Sequence, residues 1–117
     1  MSVTSKLQIK PGQSIAVLGR PSDVDLGVEG ADDAATAEAV IAFVTVSGDL
    51  LGADAQAALS AAQRDALAWV AYPKAKKLGT DLNRDSLAAT LMEQGVQPVR
   101  QVAIDDTWSA LRFRPNR

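Results

Sequence analysis

The chain contains no cysteine and no histidine among its 117 residues. It therefore cannot form disulfides, Cys–His or Ser-His-Asp catalytic groups, or the His- and Cys-based sites that usually hold zinc. The absence of cysteine is typical of a reducing compartment, and Met1–Lys10 lacks the apolar core of a signal peptide. We therefore expect a cytoplasmic protein.

Long apolar runs are missing too. The longest, around Val40–Val46, is far shorter than the roughly 20 residues that a membrane-spanning helix needs. No Gly-x-Gly-x-x-Gly and no Gly-x-x-x-x-Gly-Lys-Ser/Thr motif occurs, and the first predicted strand ends in Gly19-Arg20-Pro21, with one glycine. The sequence therefore predicts neither a membrane partner nor a classical nucleotide cofactor.

The net charge is −2, but it is unevenly distributed. Residues 1–72 carry four basic and nine acidic side chains, whereas residues 73–117 carry eight and five. Nucleic-acid binding needs a concentrated basic surface, so the acidic balance argues against it. Hydrophobic residues make up 47% and charged residues 22% of the chain, which predicts one globular domain over residues 1–117.

Three segments are apolar on both faces, as buried parallel strands are. They are Ser14–Gly19, Ala39–Val46 and Ala66–Tyr72. Helices are predicted after the second and third of them, over Asp54–Gln63 and from an Asp81 cap to about Gln94. The predicted buried face of the later helix consists of Leu87, Ala88, Leu91 and Met92. Asp23–Val28 is a predicted short edge strand, and Gly30–Glu38 fits either a short helix or an ordered loop.

The last two predicted strands, Pro98–Ile104 and Trp108–Phe113, are separated by three residues, which forces an antiparallel hairpin. Trp108–Phe113 is apolar on both sides, so we expect it inside the sheet, beside Ala66–Tyr72. The predicted fold is therefore α/β: a compact, three-layer, Rossmann-like sheet that is mostly parallel, with an antiparallel strand from the C-terminal hairpin.

This ending resembles that of the S-adenosylmethionine-dependent methyltransferases. Three motifs, Trp69–Lys74 (WVAYPK), Asp81–Asp85 (DLNRD) and Ile104–Phe113 (IDDTWSALRF), resemble a family of small, mainly actinobacterial proteins of unknown function. The chain departs from that pattern at Asn83 and Asp106. The resemblance implies a methyltransferase-like Rossmannoid fold and brings no known reaction with it.

The carboxyl ends of parallel strands meet at one edge, where open α/β sheets usually bind ligands. The residues that we expect there are Arg20, Ser47, Lys74, Asp105, Asp106, Thr107 and Trp108. An anion held by Arg20 and Lys74 is chemically reasonable. The alternative is that the lysines after Pro73 form a solvated loop and that Asp105-Asp106 make the hairpin turn.

Weaker alternatives are a Schiff base at Lys74 and a magnesium site at Asp105 and Asp106. Trp108 fits the core better than a stacking platform. The sequence favours a non-catalytic binding or interaction module, without cofactor or metal, for a protein, a second copy of itself or a small anionic ligand. The alternative is a small enzyme, or a binder of nucleotides or other anions, that uses the carboxyl edge.

Overall fold

The computed structural model describes residues 6–10, 12–22, 24, 26, 33–74 and 77–115. Within these residues the chain forms five strands and two α-helices. They are β1 (Ile15–Leu18), β2 (Ala39–Phe43), α1 (Ala53–Gln63), β3 (Leu67–Pro73), α2 (Arg84–Met92), β4 (Val96–Ala103) and β5 (Trp108–Pro115).

The strands form one open, mixed sheet in the order β1-β2-β3-β5-β4. The β1–β2 and β2–β3 ladders are parallel, whereas β5 is antiparallel to both β3 and β4. The predicted insertion of the last strand between its two neighbours is therefore confirmed. The two-sided apolar pattern agrees with this position, because strands that are buried on both faces usually lie inside a sheet.

One face of the sheet is covered by both helices. Alanines of α1 and leucines of α2 pack there against side chains of β2, β3 and β5, including Val40, Val70 and Leu111. Ala55, Ala58 and Ala62 are all buried. Their small side chains bring α1 close to the sheet, and the bulkier Leu87 and Leu91 occupy the space under α2.

The opposite face is covered differently. Leu7, Val24 and Leu26 pack there on a cluster that includes Trp69 and Trp108, and all three lie outside the helices and strands. A helical layer on this face, which the expected three-layer sheet requires, is not found in the described part of the chain. The α/β class is thus established, with both described helices on the same side.

Three local expectations need correction. β2 ends at Phe43, short of Val46, because the backbone N–H groups of Thr45 and Val46 donate to the Asp49 carboxylate and leave the ladder. The cap of α2 is Asn83, whose side chain accepts from the Ser86 N–H at 2.8 Å, and Asp81 has another role, described below. Met92, at the last position of α2, is 47% exposed.

Part of the predicted β1–β2 connection lies outside the described residues. Of the predicted strand Asp23–Val28 only Val24 and Leu26 are described, and both are buried outside any strand. Of Gly30–Glu38, residues 33–38 are described and contain a turn. No helix among the described residues is long and apolar enough to cross a membrane.

The two tryptophans on the sheet face opposite the helices differ in their hydrogen bonding. The Trp69 indole N–H donates to the Leu7 carbonyl at 3.0 Å and so ties the N-terminal segment to β3. Trp108 is 3% exposed, as predicted, and its ring meets that of Phe43 edge-on at 5.1 Å. No hydrogen-bond partner for its indole N–H is found among the described residues.

This difference predicts unequal effects of the same substitution. Trp69→Phe and Trp108→Phe both remove part of a buried ring, but only Trp69→Phe also removes a hydrogen bond. We expect Trp69→Phe to lower the free energy of unfolding by about 1 kcal/mol more than Trp108→Phe, the usual net value of such a bond. Urea denaturation of the two variants measures the difference, and equal losses would contradict it.

Candidate functional site

The predicted site residues lie along one edge, which we call the carboxyl edge: the ends of β1 to β4 and the start of β5. Arg20 follows β1, Ser47 follows β2 and Lys74 follows β3. One direct link joins two of the predicted loops, because the Lys74 backbone N–H donates to the Thr107 carbonyl at 2.7 Å. Arg20 and Lys74 follow strands separated by β2, so their backbones are about 10 Å apart.

Arg20 is turned to its own loop, since its Nη1 donates to the Val24 carbonyl. The described residues offer the Lys74 ammonium no hydrogen-bond partner. The structure therefore places the two cations on one edge but shows no shared anion position between them. A site at Arg20 and Lys74 stays a prediction.

The Asp105–Thr107 segment forms the hairpin turn. Asp105 Oδ1 accepts from the backbone N–H of Thr107 at 2.8 Å and from that of Trp108 at 2.7 Å. This arrangement is an Asx-type turn, the structural role considered above for these aspartates. No group of three or more carboxylates among the described residues could hold a metal ion.

Ser47 is hydrogen-bonded to Asp81, the residue predicted above to cap α2. Its Oγ donates to Asp81 Oδ2 at 2.6 Å and its backbone N–H donates to Asp81 Oδ1 at 2.8 Å. Beside this pair, the Thr80 hydroxyl donates to the Thr45 carbonyl. Together these bonds fasten the loop after β2 to the loop before α2, 34 residues apart for the Ser47–Asp81 pair.

A cleft of about 490 Å³ opens at this edge, between the end of β2 and the start of α1. It is lined by Phe43, Val44, Gly48, Asp49, Gly52, Ala53 and Asp54. A helix N-terminus favours anions, but here the first turn of α1 already carries the Asp54 carboxylate.

Asp54 also lies against the turn after β1. A Cβ atom added to Gly19 would lie 3.0 Å from Asp54 Oδ2 and 3.1 Å from the Phe43 carbonyl oxygen. Gly19 has φ of +72°, a conformation that glycine adopts without strain. The space left by its missing side chain is thus occupied by the chain itself.

A second cleft, of about 520 Å³, lies at the opposite edge of the sheet and was not predicted. We call it the amino-edge cleft. It lies between the N-terminal segment, the turn from α1 to β3 and the second half of β5. Its lining residues are Gln8, Lys10, Gln13, Glu38, Arg64, Asp65, Ala66, Leu67 and Arg112.

Arg112 is the charge that β5 contributes to this cleft. It faces Trp69 on β3 and Arg100 on β4, and its Nη1 donates to Gln8 Oε1 at 2.7 Å. Its Nε atom is buried and has no hydrogen-bond partner in the structure. Burial, followed by the repulsion of Arg114 and Arg100, lowers the pKa of Arg112, while Asp65 opposes the shift.

A signal for this cluster was present in the sequence. Arg112 and Arg114 alternate with Leu111 and Phe113, so strand periodicity places both arginines on one face. The Gln8 partner carried no comparable signal, because it lies 104 residues away in the chain.

Comparison of the chain with known protein families, with curated proteins and with solved structures gives no match. The motif resemblance described above therefore remains an expectation. Function must be inferred from the geometry of the two edges.

The contacts at Gly19 predict a costly substitution with a matched control. Gly12 also has a positive φ, +82°, but a Cβ there would meet nothing within 4 Å. Gly12→Ala should cost only the strain of a left-handed residue, about 1 kcal/mol. Gly19→Ala should cost about 1–3 kcal/mol more, as overpacking does. Denaturation midpoints measure both costs. Equal costs would contradict the prediction, because they would show that Asp54 and Phe43 move aside from the new methyl group without loss of stability.

The Ser47–Asp81 link predicts a pH dependence. The Ser47 hydroxyl, and then its backbone N–H, lower the pKa of Asp81. Because the folded-state pKa is depressed, the link stabilises the two loops above the ordinary carboxyl pKa and is lost as the pH falls through the lowered one.

Carboxyl-carbon NMR titration of Asp81 tests this dependence. We expect Ser47→Ala to raise the pKa of Asp81 towards its ordinary value, because the hydroxyl donor is lost. The control is Ser60→Ala on the exposed side of α1, which should leave the titration of Asp81 unchanged. An unchanged midpoint in Ser47→Ala would contradict the assignment.

Proposed function

We propose that this chain is a non-catalytic binding module built on a methyltransferase-like Rossmannoid sheet. The strand order β3-β5-β4, with β5 antiparallel, supports this proposal. We also propose that the protein is cytoplasmic.

The observation that carries the proposal is the turn at Gly19. In nucleotide-binding α/β folds a glycine after the first strand lets the ligand approach the backbone closely. Here Asp54 Oδ2 and the Phe43 carbonyl oxygen lie 3.0 and 3.1 Å from the position of a Cβ on Gly19. A cofactor would have to displace part of the protein's own backbone or repel the Asp54 carboxylate.

The polar side chains of the edge support the same proposal. Ser47 is bound to Asp81, and Asp105 accepts two backbone N–H groups of its own turn. Groups committed in this way hold loops in place and are not free to transfer protons. Trp108 is buried and cannot stack on a ligand.

One feature of the carboxyl edge favours a protein partner. Leu51 and Leu78, in the loops after β2 and β3, are 80% and 59% exposed, and Leu78 has the left-handed φ of 55° that is unusual for leucine. An interaction with another protein, or with a second copy of the chain, would cover these side chains.

Isothermal titration calorimetry with S-adenosylmethionine and with adenine nucleotides tests the proposal. We expect no binding, because the approach to Gly19 is filled and the α1 N-terminus already faces a carboxylate. A dissociation constant in the low micromolar range, roughly −8 kcal/mol, would contradict it. The carboxyl edge would be identified as the site if Ser47→Trp abolished that binding.

A further inference from the structure

We propose that the amino-edge cleft binds a small organic anion through a carboxylate or phosphate group, with Arg112 as its principal contact. This site lies on the edge opposite to the one discussed under the proposed function. This inference names a ligand class for the proposed binding module. It rests on the proposed function in one respect, that the protein acts by binding.

The first support is the charge around the cleft. Lys10, Arg64 and Arg112 line it together with the carboxylates of Glu38 and Asp65. Arg100 pairs with Arg112 across the β4–β5 ladder, and Arg114 follows two positions along β5, on the same face. The local charge is therefore positive, although the whole chain has a net charge of −2.

Both carboxylates of the cleft already have partners. Asp65 Oδ1 accepts from Arg114 Nε at 3.4 Å, and Glu38 Oε1 accepts from the Ser14 backbone N–H at 3.4 Å. On the cationic side, Arg64 Nη2 donates to the carbonyls of Ala34 and Ala37. The Lys10 ammonium and the Arg112 Nε have no hydrogen-bond partner among the described residues.

The second support is the geometry of the Arg112 guanidinium. Its Nη1 donates to the exposed Gln8, whereas its Nε is buried and has no partner, so an anion reaches the guanidinium fork only when Gln8 moves aside. A planar fork of this kind matches two oxygens of a carboxylate or phosphate. A buried donor without a partner also costs free energy, which an incoming anion would recover.

The third support is the nature of Gln8. It is exposed, it is the described hydrogen-bond partner of the Arg112 side chain, and it carries no charge. An exposed neutral amide can rotate away and give an anion access to the guanidinium. Bonds between ionised groups are roughly twice as strong as those to a neutral acceptor, so the exchange is favourable.

The volume of the cleft indicates the size of the ligand. About 520 Å³ lies within the range of pockets that bind small molecules. Its lining comes from four separate parts of the chain and includes the apolar Leu67 and Ala66 beside the charges. We therefore expect an organic acid or a phosphate ester.

The experiment follows the arginine Nε–Hε NMR signals of the full chain at constant ionic strength. Inorganic phosphate is titrated in one series and acetate in another, so that the preferred anion is identified. We expect the Arg112 signal to move along a saturable curve with at least one of them. In Arg112→Gln the titration is followed on the Arg64 signal of the same cleft, and binding should be about tenfold weaker or more, the equivalent of one charge-assisted hydrogen bond.

Two further variants keep the test independent of the stability of Arg112→Gln. Gln8→Glu places a carboxylate of the protein itself beside Arg112, and we expect it to fold and to abolish saturable binding. Arg84→Gln removes an exposed cation that pairs with Asp85 on α2. That variant should bind the anion as the unaltered chain does.

Three outcomes would overturn the inference. They are the absence of a saturable shift at Arg112, undiminished binding in Gln8→Glu, and an equal loss of binding in Arg84→Gln. None of them bears on the carboxyl edge. Conversely, S-adenosylmethionine binding that is lost on Ser47→Trp would overturn the proposed function and leave the phosphate titration unaffected, so the two failures are distinguishable.

Discussion

The fold depends on burying both faces of β5. Leu111 and Phe113 pack under the helices, while Trp108 and Ala110 belong to the cluster on the other side of the sheet. A strand with two apolar faces is usually an internal strand of a sheet that is covered on both sides. β5 occupies the position between β3 and β4. The four-residue connection 104–107 makes it antiparallel to β4, and it is antiparallel to β3 as well.

The same constraint explains how the polar residues of the carboxyl edge are used. Placing β5 beside β3 brings the hairpin turn against the end of β3, where the Lys74 N–H donates to the Thr107 carbonyl. Asp105 then closes the turn by accepting two N–H groups. Side chains that resemble a reactive cluster in the sequence are therefore used to pair backbone N–H groups of the loops.

The strand order could be predicted from the sequence because it follows from apolar periodicity and one short connection, both local properties. The cap of α2 could not, since Asp81 and Asn83 are both good capping residues and the choice depends on Ser47, far away in the chain. The amino-edge cleft depends on still longer separations. Its Arg112–Gln8 contact joins the two ends of the described chain, and no pattern in either segment indicates the other.

The antiparallel direction of β5 also explains why charge collects where a parallel sheet rarely binds ligands. Its first half, Trp108–Leu111, is buried at the carboxyl edge and through the centre of the sheet. Its second half reaches the amino edge. There Arg112 and Arg114 make one face of the strand basic, while Leu111 and Phe113 keep the other face apolar. Had β5 run parallel to β3, these arginines would lie at the carboxyl edge, so the hairpin alone moves the basic face to the other side of the molecule.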